Sequence, residues 1–284
     1  LIAIKHMKDQ TVLVTGASKG IGMELARQFA KHGYSLILTA ASEEQLGETA
    51  SKMQAEFNVP VRFVAADLLD PETPGKLHEA LEADGIGIDI LVNNAGLGHH
   101  GWFVGQPAEY DVEMIRVNIE ALVRMTKMFL PEMVARRSGR ILNTASIAGF
   151  MPAPQMAVYH ATKAFVLSFT EALAEELKDS GVTVTALCPG ATDTDFFKTA
   201  DAVDTTAFQK MEVMPPQEVA KGGYEALMNG ERVYVAGGMN KAMVFMRRLM
   251  PDSVMVKMTK FFYSETEDHK RDVGDIAAKS EDKA

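Results

Sequence analysis

Tyr159 and Lys163 stand four residues apart in the stretch Tyr159-His160-Ala161-Thr162-Lys163. The run from Pro154 to Ser180 carries no internal Pro or Gly before Gly181, which predicts a long helix over about 154–178. Residues at i and i+4 share one helical face, so a phenol and an amine would point into the same space. A free tyrosine titrates near pH 10 and exchanges protons poorly at neutrality (about 10). A cation held nearby favours the phenolate and lowers that pKa. The pair therefore has the makings of an acid/base device. The same spacing is also common on ordinary helices, so the surroundings must decide.

The elements that would position the pair alternate along the chain. Apolar, β-branched runs occur at Thr11–Thr15, Tyr34–Ala40, Val61–Ala66, Ile88–Asn93, Gly139–Ala145, Val182–Leu187 and Arg232–Ala236. Helical stretches between them cover about Gly20–His32, Glu43–Phe57, Pro71–Asp84, Pro107–Arg136, Pro154–Lys178 and Pro216–Met228. Strands alternating with helices imply right-handed crossovers and an α/β fold. The expectation is a doubly wound parallel sheet of about seven strands, covered by helices on both faces. Near-continuous apolar runs such as Ser35-Leu36-Ile37-Leu38 fit a sheet buried on both sides.

The chain has 284 residues, 47% hydrophobic and 24% charged, in the ordinary range for a globular protein. A net charge of −9 argues against a general nucleic-acid surface. The single cysteine, Cys188, permits no internal disulfide and suits a reducing, cytoplasmic setting. Preceding Pro189 with no activating partner suggested, it reads as a small buried residue rather than a nucleophile. No apolar run reaches the roughly 18 residues of a membrane span. Leu1–His6 is short and weakly apolar, lacks the core of a signal peptide and reads as vector-derived sequence ahead of Met7. No linker divides residues 7–238, which read as one domain. Residues 239–284 form an extension.

The first strand runs into Thr15-Gly16-Ala17-Ser18-Lys19-Gly20-Ile21-Gly22 and then a helix. Glycines let a chain turn sharply and bring backbone N–H groups close to a pyrophosphate, with the helix N-terminus favouring negative charge. The spacing is G-x-x-x-G-x-G rather than G-x-G-x-x-G, so the generic dinucleotide pattern is not met. Further along come Asn93-Asn94-Ala95-Gly96 after the fourth strand, Ser146 after the fifth, and Pro189-Gly190 after the sixth.

Taken in order with the Tyr159/Lys163 pair, these motifs resemble the short-chain dehydrogenase/reductase family, from about Asp9 to Gly238, with a Rossmann-like fold. The resemblance implies NAD(P)-dependent hydride transfer between a carbonyl and an alcohol, with no metal. Tyr159 would act as acid in reduction and base in oxidation. Lys163 would lower its pKa and hold the nicotinamide ribose. Ser146, 13 residues before Tyr159, would hold the substrate oxygen, and Asn118 would link Lys163 to a proton-relay water. For the cofactor it implies Gly16, Ser18, Lys19, Gly20, Ile21 and Gly22 at the pyrophosphate, and Asp67 and Leu68 at the adenine. Asn94, Ala95 and Gly96 would form the cleft, with Asn94 also joining the central strands. Pro189, Gly190, Thr192 and Thr194 would hold the carboxamide. A catalytically silent nucleotide sensor on the same fold is the alternative, and the intact Ser146/Tyr159/Lys163 set argues against it.

At the end of the second strand, Ala40 stands where relatives that prefer NAD carry Asp. Lys19 matches a basic position of relatives that use NADP. Ala41 replaces a second expected cation, while Ser42 could donate to a 2′-phosphate. The expectation is NADP(H).

Three segments bear on the substrate. His99 and His100, with no further ligand at metal spacing, read as solvated loop residues. Ala191–Met214 is long for a connection, and the resemblance implies a mobile lid there; its Phe196, Phe197, Phe208 and Met211 fit cover for an apolar substrate and fit core packing almost as well. Residues 239–263 hold six of the 18 methionines, among them Met239, Met243, Met246 and Met250 at helical spacing. Pro251 is expected to divide two helices there. Lys241, Arg247, Arg248, Lys257 and Lys260 face only Asp252 in this basic segment. Packing on the domain or a neighbouring subunit, cover for a hydrophobic substrate, and contact with a membrane or protein all fit it. Ser264–Ala284, with seven acids and four bases, reads as a frayed tail. The resemblance also implies a homodimer or homotetramer paired through the helices bearing Asn118 and Tyr159.

Overall fold

A computed structural model of the chain describes residues 10–203, 205–206 and 213–263. The expectations for Leu1–His6, Phe208, Met211 and Ser264–Ala284 lie outside the described residues. Seven parallel strands form one sheet: β1 (Thr11–Thr15), β2 (Ser35–Ala40), β3 (Val61–Ala65), β4 (Ile90–Asn93), β5 (Gly139–Thr144), β6 (Val182–Cys188) and β7 (Val233–Val235). Their order is β3-β2-β1-β4-β5-β6-β7. The order reverses between β1 and β4, where the crossovers leave for opposite faces and a crevice opens at the strand C-termini.

The period of two along β1 sends Val12 and Val14 to one face and Leu13 to the other. The first face is covered by α1 (Gly20–Lys31), α2 (Glu43–Phe57) and α8 (Pro216–Met228), with Leu25, Phe29, Leu46 and Leu227 in its core. The second is covered by α3 (Thr73–Ala83), α5 (Leu122–Ala135) and α6 (Ala157–Glu176), with Leu77, Met125, Phe129 and Leu173 inside. β3 lies at the sheet edge and leaves Phe63 partly exposed, unlike the wholly buried β4.

Element boundaries differ from the sequence expectation in several places. β4 starts at Ile90, although the Asp89 main chain still bonds Thr11 and Arg140 and its carboxylate accepts the Thr11 N–H at 2.8 Å. The helix expected over 107–136 is α4 (Ala108–Ile115), a π-helical segment (Arg116–Ala121) and α5. Helix α6 begins at Ala157, not Pro154, because Gln155 takes φ +66° and turns the chain.

Asn93 and Asn143 of the sheet form a connected polar set with Thr126 and Thr170 of the helices. Asn93 Nδ2 donates to Asn143 Oδ1 (2.9 Å) and Thr126 Oγ1 (3.1 Å), and Asn143 Nδ2 donates to Thr170 Oγ1 (2.9 Å). These bonds tie β4, β5, α5 and α6 together where water is excluded, so each is costly to break. Replacing Asn143 by Leu leaves Asn93 and Thr170 short of a partner, and should cost about 2–3 kcal/mol of unfolding free energy. Urea denaturation of Asn143→Leu checks this; a midpoint equal to the parent's would contradict it.

Candidate active site

The crevice at the sheet's reversal point opens into a cavity of about 420 Å³. Its floor at one end is the turn from β1 into α1. Gly16 and Gly20 take φ +64° and +58°, a region that a side chain strains. A Cβ on Gly16 would stand 2.9 Å from Ala95 Cα, and one on Gly22 would collide with Gly16 O and Asn94 Nδ2. The first turn of α1 carries no acid, and Lys19 at its N-cap makes no side-chain cap bond. The turn therefore brings a helix N-terminus to the cavity with no carboxylate in its own first turn. These features fit the pyrophosphate of a dinucleotide.

Asn94 fixes this turn to the rest of the sheet. Its Nδ2 donates to the carbonyls of Thr15 (3.1 Å) and Gly16 (3.4 Å), and its Oδ1 accepts from Thr144 Oγ1 (3.2 Å). Its backbone N–H donates to Thr15 Oγ1 at 2.9 Å. It joins β1, β4 and β5, the structural half of the role expected of it.

At the other end, α6 brings Tyr159 and Lys163 to the cavity wall beside Ser146, as the helical spacing predicted. Lys163 is buried and its Nζ donates to Thr144 O at 2.8 Å. Burial pulls its pKa down to about 8. The Nζ stands 5.8 Å from the centroid of the Tyr159 ring. Burial also dominates Tyr159, whose phenol is pushed up to about 12, with the Ser146 hydroxyl as the opposing influence. Ser146, rather than Lys163, is the group that opposes burial at the Tyr159 phenol here. Ser146 Oγ accepts the Ala148 N–H (3.1 Å) and reaches Pro189 O (3.3 Å), which holds the hydroxyl between β5 and β6.

Asn118 lies in the π-helical segment and is buried. Its side chain accepts from Leu97 N (2.8 Å) and donates to Leu97 O (2.9 Å) and Thr162 Oγ1 (3.0 Å). It clamps the loop after β4 to α6. Its Oδ1 and Lys163 Nζ both crowd Gly96, at 3.3 and 3.4 Å from where a Cβ would stand.

The cavity collects Gly16, Ser18, Lys19, Gly20, Ile21, Asn94, Ala95, Gly96, Ser146, Tyr159, Lys163, Pro189, Gly190, Thr192 and Thr194 among the expected residues. Gly22, Asn118, Ala41, Ser42, Asp67 and Leu68 lie outside its lining. Ser42 instead caps α2, accepting from Gln45 N at 3.4 Å, and Asp67 Oδ1 accepts from Leu69 N at 2.9 Å. Ser42 follows β2, the neighbour of β1, and Asp67 follows β3, the next strand out. Lys19 pairs with Asp195 at 3.4 Å across the cavity mouth, both side chains half exposed. Cys188 is fully buried, with its thiol pushed up to about 12 by burial.

The substrate side differs more from expectation. His100 is buried, not solvated, and its Nε2 donates to Tyr263 O at 2.7 Å. His99 is half-buried against Tyr110, with ring centroids 4.4 Å apart. Of the lid segment, Phe196 lines the cavity and packs on Tyr159 at 5.3 Å between centroids. A bridge between Thr192 and Met214 pins the two ends of the segment together. The extension forms α9 (Gly238–Arg247) and α10 (Asp252–Tyr263), divided at Pro251 as expected. Met239 and Met246 are exposed rather than packed on the domain. Sequence reasoning missed Met156 and Tyr263, which also line the cavity. The aromatic cluster Phe261-Phe262-Tyr263 ending a basic helix was the available signal.

The family model described as short chain dehydrogenase matches residues 10–204. The very-long-chain 3-oxoacyl-CoA reductase of Homo sapiens is 36% identical over 181 residues, covering 62% of this chain and 57% of that protein. The chain thus spans little more than half of that curated relative. A short-chain dehydrogenase from Sphingobium yanoikuyae, solved in complex with NADPH, is 34% identical with a TM-score of 0.75, covering 84% of this chain and 94% of that one. A short-chain dehydrogenase/reductase from Burkholderia phymatum, solved with NAD, is 26% identical with a TM-score of 0.76, covering 84% and 93%.

His160, next to Tyr159, supplies a pH test. Its Nδ1 donates to Met151 O at 2.6 Å while Nε2 is buried without a partner, and burial pulls its pKa down to about 4 from 6.5. Between those values the unfolded chain binds a proton that the folded chain refuses. Stability is therefore lost as pH falls from 6.5 towards 4. His160→Gln should flatten that limb in urea unfolding at successive pH values. An unchanged acid limb would contradict the assignment.

Proposed function

The chain belongs to the short-chain dehydrogenase/reductase family, and from that premise we propose that it is an NADP(H)-dependent carbonyl reductase with Tyr159 as the proton donor. The coarser statement, an NAD(P)-dependent oxidoreductase acting on a small molecule, follows from the family itself. The observation that carries the finer reading is a buried phenol beside a hydroxyl and an ammonium, on the wall of a cavity floored by a glycine turn.

The nicotinamide supplies hydride to the substrate carbon when bound. Gly16 and Ser18–Ile21 would hold its pyrophosphate, with Pro189, Gly190, Thr192 and Thr194 around the nicotinamide end. As hydride reaches a carbonyl carbon, negative charge develops on the oxygen. Ser146 and Tyr159 are the donors aimed at that oxygen, and a donor fixed there stabilises the transition state. A phenol pushed up to about 12 is protonated at neutrality, the state a proton donor needs. Lys163, pulled down to about 8, still carries its charge there and balances the phenolate that forms. Asn118, in a π-helical turn of the kind that concentrates at functional sites, is read as part of the proton relay to Lys163.

NADP(H) is preferred in this reading because β2 ends in Ala40-Ala41-Ser42, with no acid to receive a ribose 2′-hydroxyl, and Lys19 stands at the cavity mouth. An apolar substrate is supported by Leu97, Met156 and Phe196 around Tyr159. Exposed Val112, Ile115, Met128 and Phe165 on α4–α6 support pairing of subunits through those helices.

Tyr159→Phe should lower carbonyl reduction by about 10²–10⁴-fold while NADPH binding, read by fluorescence titration, survives. Parental turnover in that variant would sink the mechanism. Steady-state kinetics with the parent protein should give a higher kcat/KM for NADPH than NADH. A clear NADH preference would reverse the cofactor assignment.

A further inference from the structure

The extension reaches the active site through one helical face. Met255, Thr259 and Tyr263 recur every four residues along α10; Met255 and Thr259 are its fully buried side chains, and Tyr263 lines the cavity. The other side of the helix leaves Val254, Val256 and Phe261 exposed. The buried face sits on the segment between Ser146 and Tyr159. Thr259 Oγ1 donates to Pro152 O at 2.7 Å, and from α9 Arg247 Nε donates to Phe150 O at 3.1 Å.

The end of α10 is fastened by its main chain. The Tyr263 carbonyl accepts from His100 Nε2 at 2.7 Å. It also accepts from the Gln155 amide at 2.6 Å, in the orientation that lets the same amide take the Trp102 Nε1–H at 2.9 Å. Lys260 Nζ stands over the Trp102 ring at 5.5 Å from its centroid. The latch leaves the Tyr263 side chain to the cavity. There it packs with Leu97, Met156 and Phe196 around Tyr159, and its ring meets His160 edge-on at 5.2 Å.

We propose that Tyr263 is a specificity-determining residue: its ring is the outer wall of the substrate end of the cleft, held in place by the His100–Gln155–Trp102 latch on its carbonyl. The proposal rests on the carbonyl-reductase reading for the identity of the substrate, and deepens it. The wall limits the bulk of the group flanking the carbonyl on the side away from the glycine turn. Shortening it admits larger, flatter ketones at the expense of small ones. Because the latch uses the backbone of residue 263, wall and latch are separable by mutation.

The test uses the full chain and three variants, Tyr263→Ala, Tyr263→Phe and His100→Ala. Trp102 is the chain's single tryptophan, so its emission reports latch closure without turnover. Tyr263→Ala should raise the kcat/KM ratio of benzophenone to butan-2-one about five-fold or more, a change within the range of hydrophobic-pocket discrimination. It should tighten benzophenone binding by a similar factor in the presence of NADP⁺, which has no hydride to give, and leave Trp102 emission as in the parent. Tyr263→Phe keeps the ring and should keep the parental ratio. His100→Ala should red-shift Trp102 emission and move the ratio towards that of Tyr263→Ala. An unchanged ratio and unchanged benzophenone affinity in Tyr263→Ala would overturn the wall. Parental emission and ratio in His100→Ala would overturn the latch. Tighter benzophenone binding in Tyr263→Ala with no ketone reduced by the parent would uphold the wall and sink the proposed reaction instead.

Discussion

Removing the Tyr159 phenol and the Lys163 ammonium from water is the constraint on which the site depends. A buried ammonium must find a fixed acceptor or lose its proton. Lys163 finds the Thr144 carbonyl. The Thr144 hydroxyl in turn holds Asn94, and Asn94 holds the carbonyls of Thr15 and Gly16. One chain of hydrogen bonds thus runs from α6 through β5 and β4 to the glycine turn on β1. It fixes the acid/base end of the cleft relative to the end that fits a pyrophosphate, and a fixed separation is what hydride transfer between two bound molecules requires.

Most of this was legible in the sequence because it is written in local rules. Alternating apolar runs and amphipathic stretches carry the parallel sheet, and the Tyr159/Lys163 spacing carries the shared helical face. The positive φ of Gly16 and Gly20 answers to glycines that the sequence places between strand and helix. What was not legible depends on distances across the fold. Desolvation of Tyr159 is a property of everything packed around it, so the upward push of burial on its phenol could not be read from the sequence pair alone. His100 read as a solvated loop residue because its acceptor, the carbonyl of Tyr263, lies 163 positions away. The π-helical segment holding Asn118 interrupts a run whose periodicity reads as one helix.

In the proposed reaction the two buried groups would divide the chemistry between them. Burial keeps Tyr159 protonated and ready to donate, and the same burial weakens the hold of Lys163 on its proton without removing it at neutrality. Around them the walls are apolar on the substrate side, from Leu97, Met156, Phe196 and Tyr263. Water excluded by those walls strengthens the donors at the reacting oxygen. The C-terminal extension thereby reaches the cavity through Tyr263, and cover for a hydrophobic substrate was one of three readings that its sequence left open.

The central claim is that this cleft delivers hydride to a carbonyl carbon. It is tested most directly by following the label from NADPH deuterated at the nicotinamide C4 into the product of ketone reduction. The account predicts deuterium on the carbinol carbon, read by NMR. A product carrying only solvent hydrogen at that carbon would contradict it.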